Sequence, residues 1–444
     1  MAGEATSAEG GERHVGVLTA TTVVVASMVG TGIFTTTGLL LRDLRSPLTV
    51  LLAWLVGGVL ASCGALSYAE LGAALPRNGG EYQLLSRIYH PAVGFAAGLV
   101  SLVVGFSAPL AASALAFGHY VSAVIPGISP GAAGVALVVV AAVPHATHAR
   151  LGGRVQVAVT VLELALVVAF VAAGLVRGDP RRILAGGEPL SAAATPAFAA
   201  ALVYVSFAYS GWNAAVYLGG EVRDPARTLP RALLIGTAAV ILLYLALNVA
   251  FLAAAPPGEL AGVVEVGHVA AVKLLGPRAG TALSAVIALV LAASVSAMLM
   301  AGPRVYQQMG CDHPRLAVLA RRTRQGGPVV AVTLQAAIVL AMIATSTFAA
   351  LLLYIGFTLS LVAGLTVLGV FVLRRREPCL PRPARTLGYP VTPLLALAIS
   401  GWMIVHALVR EPAASWAGVA TAICGLGLYA LLGRPRRAAA APFP

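Results

Sequence analysis

Met28-Val29-Gly30-Thr31-Gly32-Ile33-Phe34 lies in the middle of an apolar run covering about residues 15–41. Glycine costs roughly 1 kcal/mol against alanine inside a helix. Two glycines and a hydroxyl at this depth therefore mark a candidate helix break. Phe207-Ala208-Tyr209-Ser210-Gly211-Trp212-Asn213 repeats the device, again small and polar in the middle of the run 196–219. A single Gly-x-Gly could equally serve close helix packing. Two interruptions at corresponding positions point instead to the substrate site of a secondary transporter.

The rest of the chain sets these breaks in a membrane. Its 444 residues are 59% hydrophobic and 10% charged, with a mean hydropathy of +0.91. Soluble domains carry about 25% charged residues. The apolar residues fall in long runs, such as Val155–Val176 and Thr281–Gly302, each long enough to cross a bilayer. Twelve runs are legible, over about 15–41, 48–73, 92–125, 131–146, 155–176, 196–219, 232–255, 280–302, 328–347, 349–373, 391–409 and 414–432. Backbone polar groups in lipid must be satisfied within the segment, so these runs predict helices. A β-barrel would show short alternating segments instead. The expected fold is thus an all-α polytopic membrane protein, and a soluble enzyme or a disordered chain is excluded. The breaks occupy the first and sixth of the twelve runs, equivalent places in two five-helix halves.

Charge orients the chain. Lys and Arg accumulate in cytoplasmic loops. With the N-terminus inside, 21 of the 29 basic residues fall on the inner side, among them Arg223, Arg227 and Arg231, the group from Arg304 to Arg324, and Arg374-Arg375-Arg376. Both termini are therefore expected in the cytoplasm, as tails of residues 1–14 and 433–444 around one transmembrane domain, 15–432. The net charge of +13 does not indicate nucleic acid, because the basic residues form no continuous face and no aromatic-interleaved patch. Residues 1–12 lack the basic start of a cleaved signal peptide. Cys63, Cys311, Cys379 and Cys424 show no metal-ligand or disulfide-framework spacing. His145 and His148 are one helical turn apart but have no third ligand nearby, so no metal site is expected. No nucleophile–base pair is found at membrane depth either, and no enzymatic activity is expected.

The breaks carry their own chemistry. Unwinding frees N–H groups at the start of one half-helix and carbonyls at the end of the other. The N–H groups and the positive dipole end suit a carboxylate, and the carbonyls suit an ammonium. A zwitterionic amino acid can thus be held without a charged side chain.

These residues resemble the amino acid–polyamine–organocation (APC) superfamily. Gly30-Thr31-Gly32-Ile33-Phe34 is similar to its first-helix motif. Gly64-Ala65-Leu66-Ser67-Tyr68-Ala69-Glu70-Leu71-Gly72 and Pro76-Arg77-Asn78-Gly79-Gly80-Glu81-Tyr82 resemble its second helix and following loop. The sixth-helix stretch with Glu221-Val222-Arg223-Asp224-Pro225, then Gly302-Pro303-Arg304-Val305-Tyr306 and Gly388-Tyr389-Pro390, continue the match in order. The resemblance implies a LeuT-like five-plus-five inverted repeat, about 15–176 and 196–373, with helices 1 and 6 broken and two extra helices, about 391–432. It implies alternating-access transport of amino acids across a bacterial inner membrane, closest to the L-type or cationic amino acid transporter branch. Carried over by position, the backbone around Thr31 and Gly32 would take the substrate carboxylate, with Gly30 a further substrate-binding position. Carbonyls near Met28, Phe207, Ala208 and Ser210 would take the amine, Phe207 would lid the site, and Tyr209 is a further candidate contact. In animal L-type members the loop between helices 3 and 4 holds a cysteine bonded to a partner subunit. Pro126-Gly127-Ile128-Ser129-Pro130 has none, so no disulfide-linked subunit is expected.

Glu163 departs from that pattern. Many bacterial relatives are expected to carry a lysine there, whereas this chain places a carboxyl nine residues, or about 13 Å, into the fifth helix. Ionisable residues inside the membrane are functional candidates by default. Burial disfavours the charged form, which suits a proton carrier. With oxygen partners the carboxyl could ligate sodium, and a neutral structural acid is the third reading. No cofactor is implied beyond such a coupling ion. Glu70 and Glu221, near inner helix ends, are expected to pair with arginines such as Arg304, and Arg374-Arg375-Arg376 to anchor at lipid headgroups. The functional expectation is a carrier of small or medium neutral amino acids, by proton symport or by exchange. A cationic amino acid or polyamine carrier and a non-transporting sensor of the same fold are the alternatives.

Overall fold

The computed structural model describes residues 13–147, 153–184, 189–312, 314–323 and 327–432. Residues 1–12 and 433–444 of the two expected tails, with His148 and Arg324, lie outside the described residues. The described chain is helical, with two isolated bridges, Val15 to Val222 and Asn78 to Leu218, and no β-strand among the described residues.

The chain opens with α1 (Val17–Met28) and α2 (Thr31–Leu44), bent by 41° across Val29 and Gly30. α3 (Pro47–Ala74) leads into the short α4 (Gly80–Ile88). α5 (Pro91–Val100), a π-helical stretch (Ser101–Ser107) and α6 (Ala108–Val124) form one continuous helix of 34 residues. α7 (Pro130–Thr147) and α8 (Gly153–Arg177) follow, then two single turns, α9 (Arg181–Leu184) and α10 (Pro189–Ala192). α11 (Pro196–Ala208) stops at the second break, and a 3-10 turn (Ala214–Tyr217) carries the chain to α12 (Pro225–Ala254). α13 (Pro257–Leu260) and α14 (Val266–Leu275) cross to the long α15 (Pro277–Asp312). α16 (Val329–Thr345), α17 (Phe348–Arg376), α18 (Val391–Arg410) and α19 (Pro412–Leu432) complete the chain.

Hydroxyl caps followed by proline or an apolar residue fix several of these starts. Ser46 Oγ accepts from the Thr49 amide ahead of Pro47, and Thr195 Oγ1 accepts from Phe198 ahead of Pro196. Such caps satisfy a first-turn donor that has no helical partner, and proline costs nothing at a position whose N–H is already orphaned. Among the described residues, eight helices are long and apolar enough to cross a membrane, and the bent α1–α2 pair makes a ninth. α8, α11 and α16 lie where the fifth, sixth and ninth apolar runs were read. This is an all-α polytopic membrane protein. Val140, Val143, Val176, Leu242 and Leu431 are 61–82% exposed. Apolar side chains that face outward in such numbers suit lipid, not water.

One buried charge network departs from expectation. Glu70 is 2% exposed, and its partner is Arg374 rather than Arg304. Arg374 donates from Nε at 2.8 Å and Nη2 at 2.6 Å, and Thr386 donates its amide at 2.7 Å and its hydroxyl at 2.8 Å. A buried carboxylate needs several donors to offset its lost hydration, and the ends of α3 and α17 with the following loop bring them together. The Arg374 guanidinium also lies 3.7 Å from the centre of the Tyr389 ring. Arg374, half-buried, is therefore turned to the buried Glu70 rather than to lipid headgroups, and Arg376 donates to the Ile88 carbonyl at 3.0 Å. Glu221 accepts from the Asn78 amide at 3.2 Å, and among the described residues no arginine pairs with it. His145 bonds to the Ser296 hydroxyl at 2.8 Å, and no group of three metal-ligating residues occurs among the described residues.

Candidate functional site

The two breaks cross each other. A Cβ added to Gly32 would lie 2.6 Å from the Ala208 Cα, so only glycine lets the backbones approach this closely. Gly211 has φ +100 and packs against the Ser27 carbonyl, a left-handed conformation against a wall that again favours glycine. The start of α2 and the end of α11 thus meet at one point. A cavity of about 600 Å³ opens beside it.

Met28, Gly30, Thr31, Gly32, Phe207, Ala208, Tyr209 and Ser210, the eight candidate substrate residues, all line this cavity. Gly30 has an extended backbone, and a Cβ there would meet nothing within 4 Å. No side chain caps α2. Its first-turn N–H groups have no intrahelical acceptors, and the positive end of the helix dipole lies at the cavity. Thr31 Oγ1 and Ser113 Oγ are 2.5 Å apart and tie this start to α6.

The carbonyl side is organised by a residue that sequence reasoning missed. The Tyr244 hydroxyl lies 2.6 Å from the Met28 carbonyl oxygen and 3.2 Å from that of Ala208. It can donate to one at a time, and each carbonyl keeps a lone pair for another donor. Tyr244 is fully buried among Trp54 and Tyr209, with ring centroids 5.4 and 5.1 Å away. The Phe207 carbonyl accepts from the Ser210 amide at 2.9 Å, within the turn that ends α11. Tyr209 donates its hydroxyl to the Trp54 carbonyl at 3.1 Å, and Trp212 packs edge-on against Tyr68 at 4.7 Å. A tyrosine and an asparagine one turn apart, Tyr244 and Asn248 in an otherwise apolar run, were the available signal.

Glu163 is not in the cavity. It is 5% exposed on α8, which packs against α12, the helix that carries Tyr244. Its Oε1 has no hydrogen-bond partner among the described residues. The carboxyl thus lies on a helix packed against the one whose Tyr244 reaches the crossing point.

Two further features of the cavity wall were not anticipated. Glu81, 5% exposed, lines the cavity and accepts from Tyr68 at 3.0 Å, from Asn213 and from Tyr217. The π-helical stretch contributes Ser101, Gly105 and Phe106 to the wall. Pro109, four residues after Gly105, was its sequence signal. Proline lacks the N–H that a helix would direct at the carbonyl of residue i−4, and its ring crowds that carbonyl.

Two interrupted helices thus cross beside one open cavity, and the sequence places such a chain in a family. Residues 15–429 match the Amino acid permease family. The chain belongs to that family. The permease is 30% identical to the rat large neutral amino acids transporter small subunit 2 over 96% of its own length and 83% of that protein. It is 28% identical to the serine/threonine exchanger SteT of Bacillus subtilis, covering 96% of this chain and 98% of that one. The mouse Asc-type amino acid transporter 1 is 28% identical over 95% of the permease and 81% of its own chain. The match runs through both breaks and through every helix that lines the cavity.

Proposed function

We propose that this permease carries neutral L-amino acids across the cytoplasmic membrane by alternating access, as an exchanger or proton symporter rather than as an enzyme. The observation that carries the reading is the crossing of the breaks at Gly32 and Ala208. Thr31 and Gly32 at the uncapped start of α2 and Met28 and Ala208 at the two helix ends line one cavity, and paired helix ends of this kind suit a carboxylate and an ammonium on one carbon. Thr31 and Gly32 bind the carboxylate, Met28, Ala208 and Ser210 bind the amine, and Phe207 closes over the bound solute. The charged side chain in the cavity wall, Glu81, already has three donors. That weighs against a cationic amino acid or a polyamine, whose charge would need an available acid. The names of the relatives, neutral amino acid transporters and a serine/threonine exchanger among them, support the same class.

The proposal includes twelve spans in two inverted five-helix halves, with both termini cytoplasmic. The loop of residues 126–130 lacks a cysteine, so the permease works without a disulfide-linked subunit. In that orientation α1 and residues 211–218 form the inner halves of the broken helices. They line the cavity, while Thr31–Leu41 of the outer half are buried throughout. The cavity then faces the cytoplasm. Competition tests the substrate class: neutral amino acids should suppress uptake of a labelled neutral one in proteoliposomes, and arginine, lysine and putrescine should not. Suppression by the cationic compounds alone would favour the alternative.

Glu163 is proposed as the proton carrier, on its burial and its free Oε1. Glutamine keeps the shape of a protonated carboxyl and cannot release the proton. Glu163→Gln is expected to flatten the pH dependence of uptake while amino acid exchange continues. A variant whose pH profile and exchange both follow the wild type would remove Glu163 from coupling.

A further inference from the structure

We infer that Tyr306 is a positioning residue for substrate selectivity, its hydroxyl fixing the π-helical stretch Ser101–Ser107 in the register that presents Gly105 and Phe106 to the cavity. This rests on the cavity being the amino acid site. The stretch exists because Pro109 cannot bond to Gly105, and a π turn takes up the misfit. Such a turn holds one residue more than an α turn. Reverting to α would rotate one side of the helix against the other by about 100° and carry Phe106 off the wall.

The side of the stretch away from the cavity is held by hydroxyls. Ser107 Oγ donates to the Leu102 carbonyl at 3.0 Å, five residues back. The Tyr306 hydroxyl, arriving from α15, lies 3.1 Å from the same carbonyl and 2.9 Å from Ser107 Oγ. Ser107 and Tyr306 are both fully buried. The Tyr306 ring is set in an apolar cluster of its own, with Phe95, Leu102, Met309 and Ala331, apart from the main core. The ring is therefore anchored in its own cluster, and the hydroxyl reaches from that anchor to the Leu102 carbonyl that Ser107 also bonds. Tyr306 itself does not line the cavity. It acts through the wall.

The test compares full-length wild type, Tyr306→Phe, Phe106→Ala and the double variant in proteoliposomes. KM and Vmax are measured for a large neutral amino acid (phenylalanine) and a small one (alanine), with hydrogen exchange followed across residues 101–108. Losing one buried hydrogen bond is expected to raise exchange in the stretch about tenfold and to shift the ratio of the two KM values by about tenfold. Vmax should hold within about twofold, and Phe106→Ala should add little to Tyr306→Phe, because coupled residues are non-additive. Wild-type uptake with an unchanged KM ratio in Tyr306→Phe overturns the inference, as does an equal loss of Vmax for both substrates, the signature of a merely structural tyrosine. A wild type that takes up neither compound fails earlier, at the transport reading itself.

Discussion

Gly32→Val is expected to abolish amino acid uptake, and Gly32→Ala to reduce it to a few per cent of wild type. The reason is geometric. A Cβ at this position would sit 2.6 Å from the Ala208 Cα and 2.7 Å from its Cβ, so the broken helices must separate before any side chain fits. Forcing extra atoms into a packed contact typically costs 1–3 kcal/mol. Here the displaced atoms are backbone and cannot swing aside. Separation would also pull the α2 amides away from the carbonyls of Met28 and Ala208, so the two halves of the site would no longer match one substrate. Gly30→Ala is the internal control, since nothing lies within 4 Å of its added methyl. It should reach the membrane and retain uptake with weakened affinity. Uptake measured in proteoliposomes with matched protein content checks both. Wild-type activity in Gly32→Val would mean that the crossing point is not the site.

The second large effect falls on Tyr244. Tyr244→Phe keeps the ring between Trp54 and Tyr209 and removes only the hydroxyl shared by the Met28 and Ala208 carbonyls. A buried polar group left without its partner costs about 1–3 kcal/mol, which is roughly tenfold to a hundredfold in an equilibrium. The loss in Vmax/KM is expected in that range, while the unfolding temperature moves little because the packing survives. A Tyr244→Phe protein with unaltered uptake would leave the hydroxyl as a packing detail.

The sequence revealed the breaks because they violate the composition around them. Gly30, Gly32 and Gly211 interrupt runs where alanine or leucine would have been cheaper, and the structure places all three on the cavity wall, Gly32 and Gly211 where the backbones meet. It also revealed Glu163, a lone charge nine residues deep. What it hid were pairings across the bundle. Nothing local to Tyr244 states that its hydroxyl reaches two carbonyls on two other helices. Glu70 and Arg374 are 304 positions apart, and choosing Arg374 over Arg304 required knowing which helix ends share a level. Arg374-Arg375-Arg376 looked like a headgroup anchor because three adjacent cations on a helix end usually face water, yet adjacent helical residues point about 100° apart. One of the three turned inward. The π stretch went unread inside the run 92–125: Pro109 was its one local signal, and nothing local to it states that Tyr306 would hold it.

Counterflow tests the central claim most directly. Wild-type protein is reconstituted into liposomes preloaded with an unlabelled neutral amino acid such as leucine or serine, and uptake of the labelled compound is followed without an ion gradient, beside empty liposomes and beside Gly32→Val. Transient accumulation in loaded wild-type liposomes, absent with Gly32→Val, is the expected result. Failure of wild type to accumulate any neutral amino acid, in loaded liposomes or under an inward proton gradient, would contradict it.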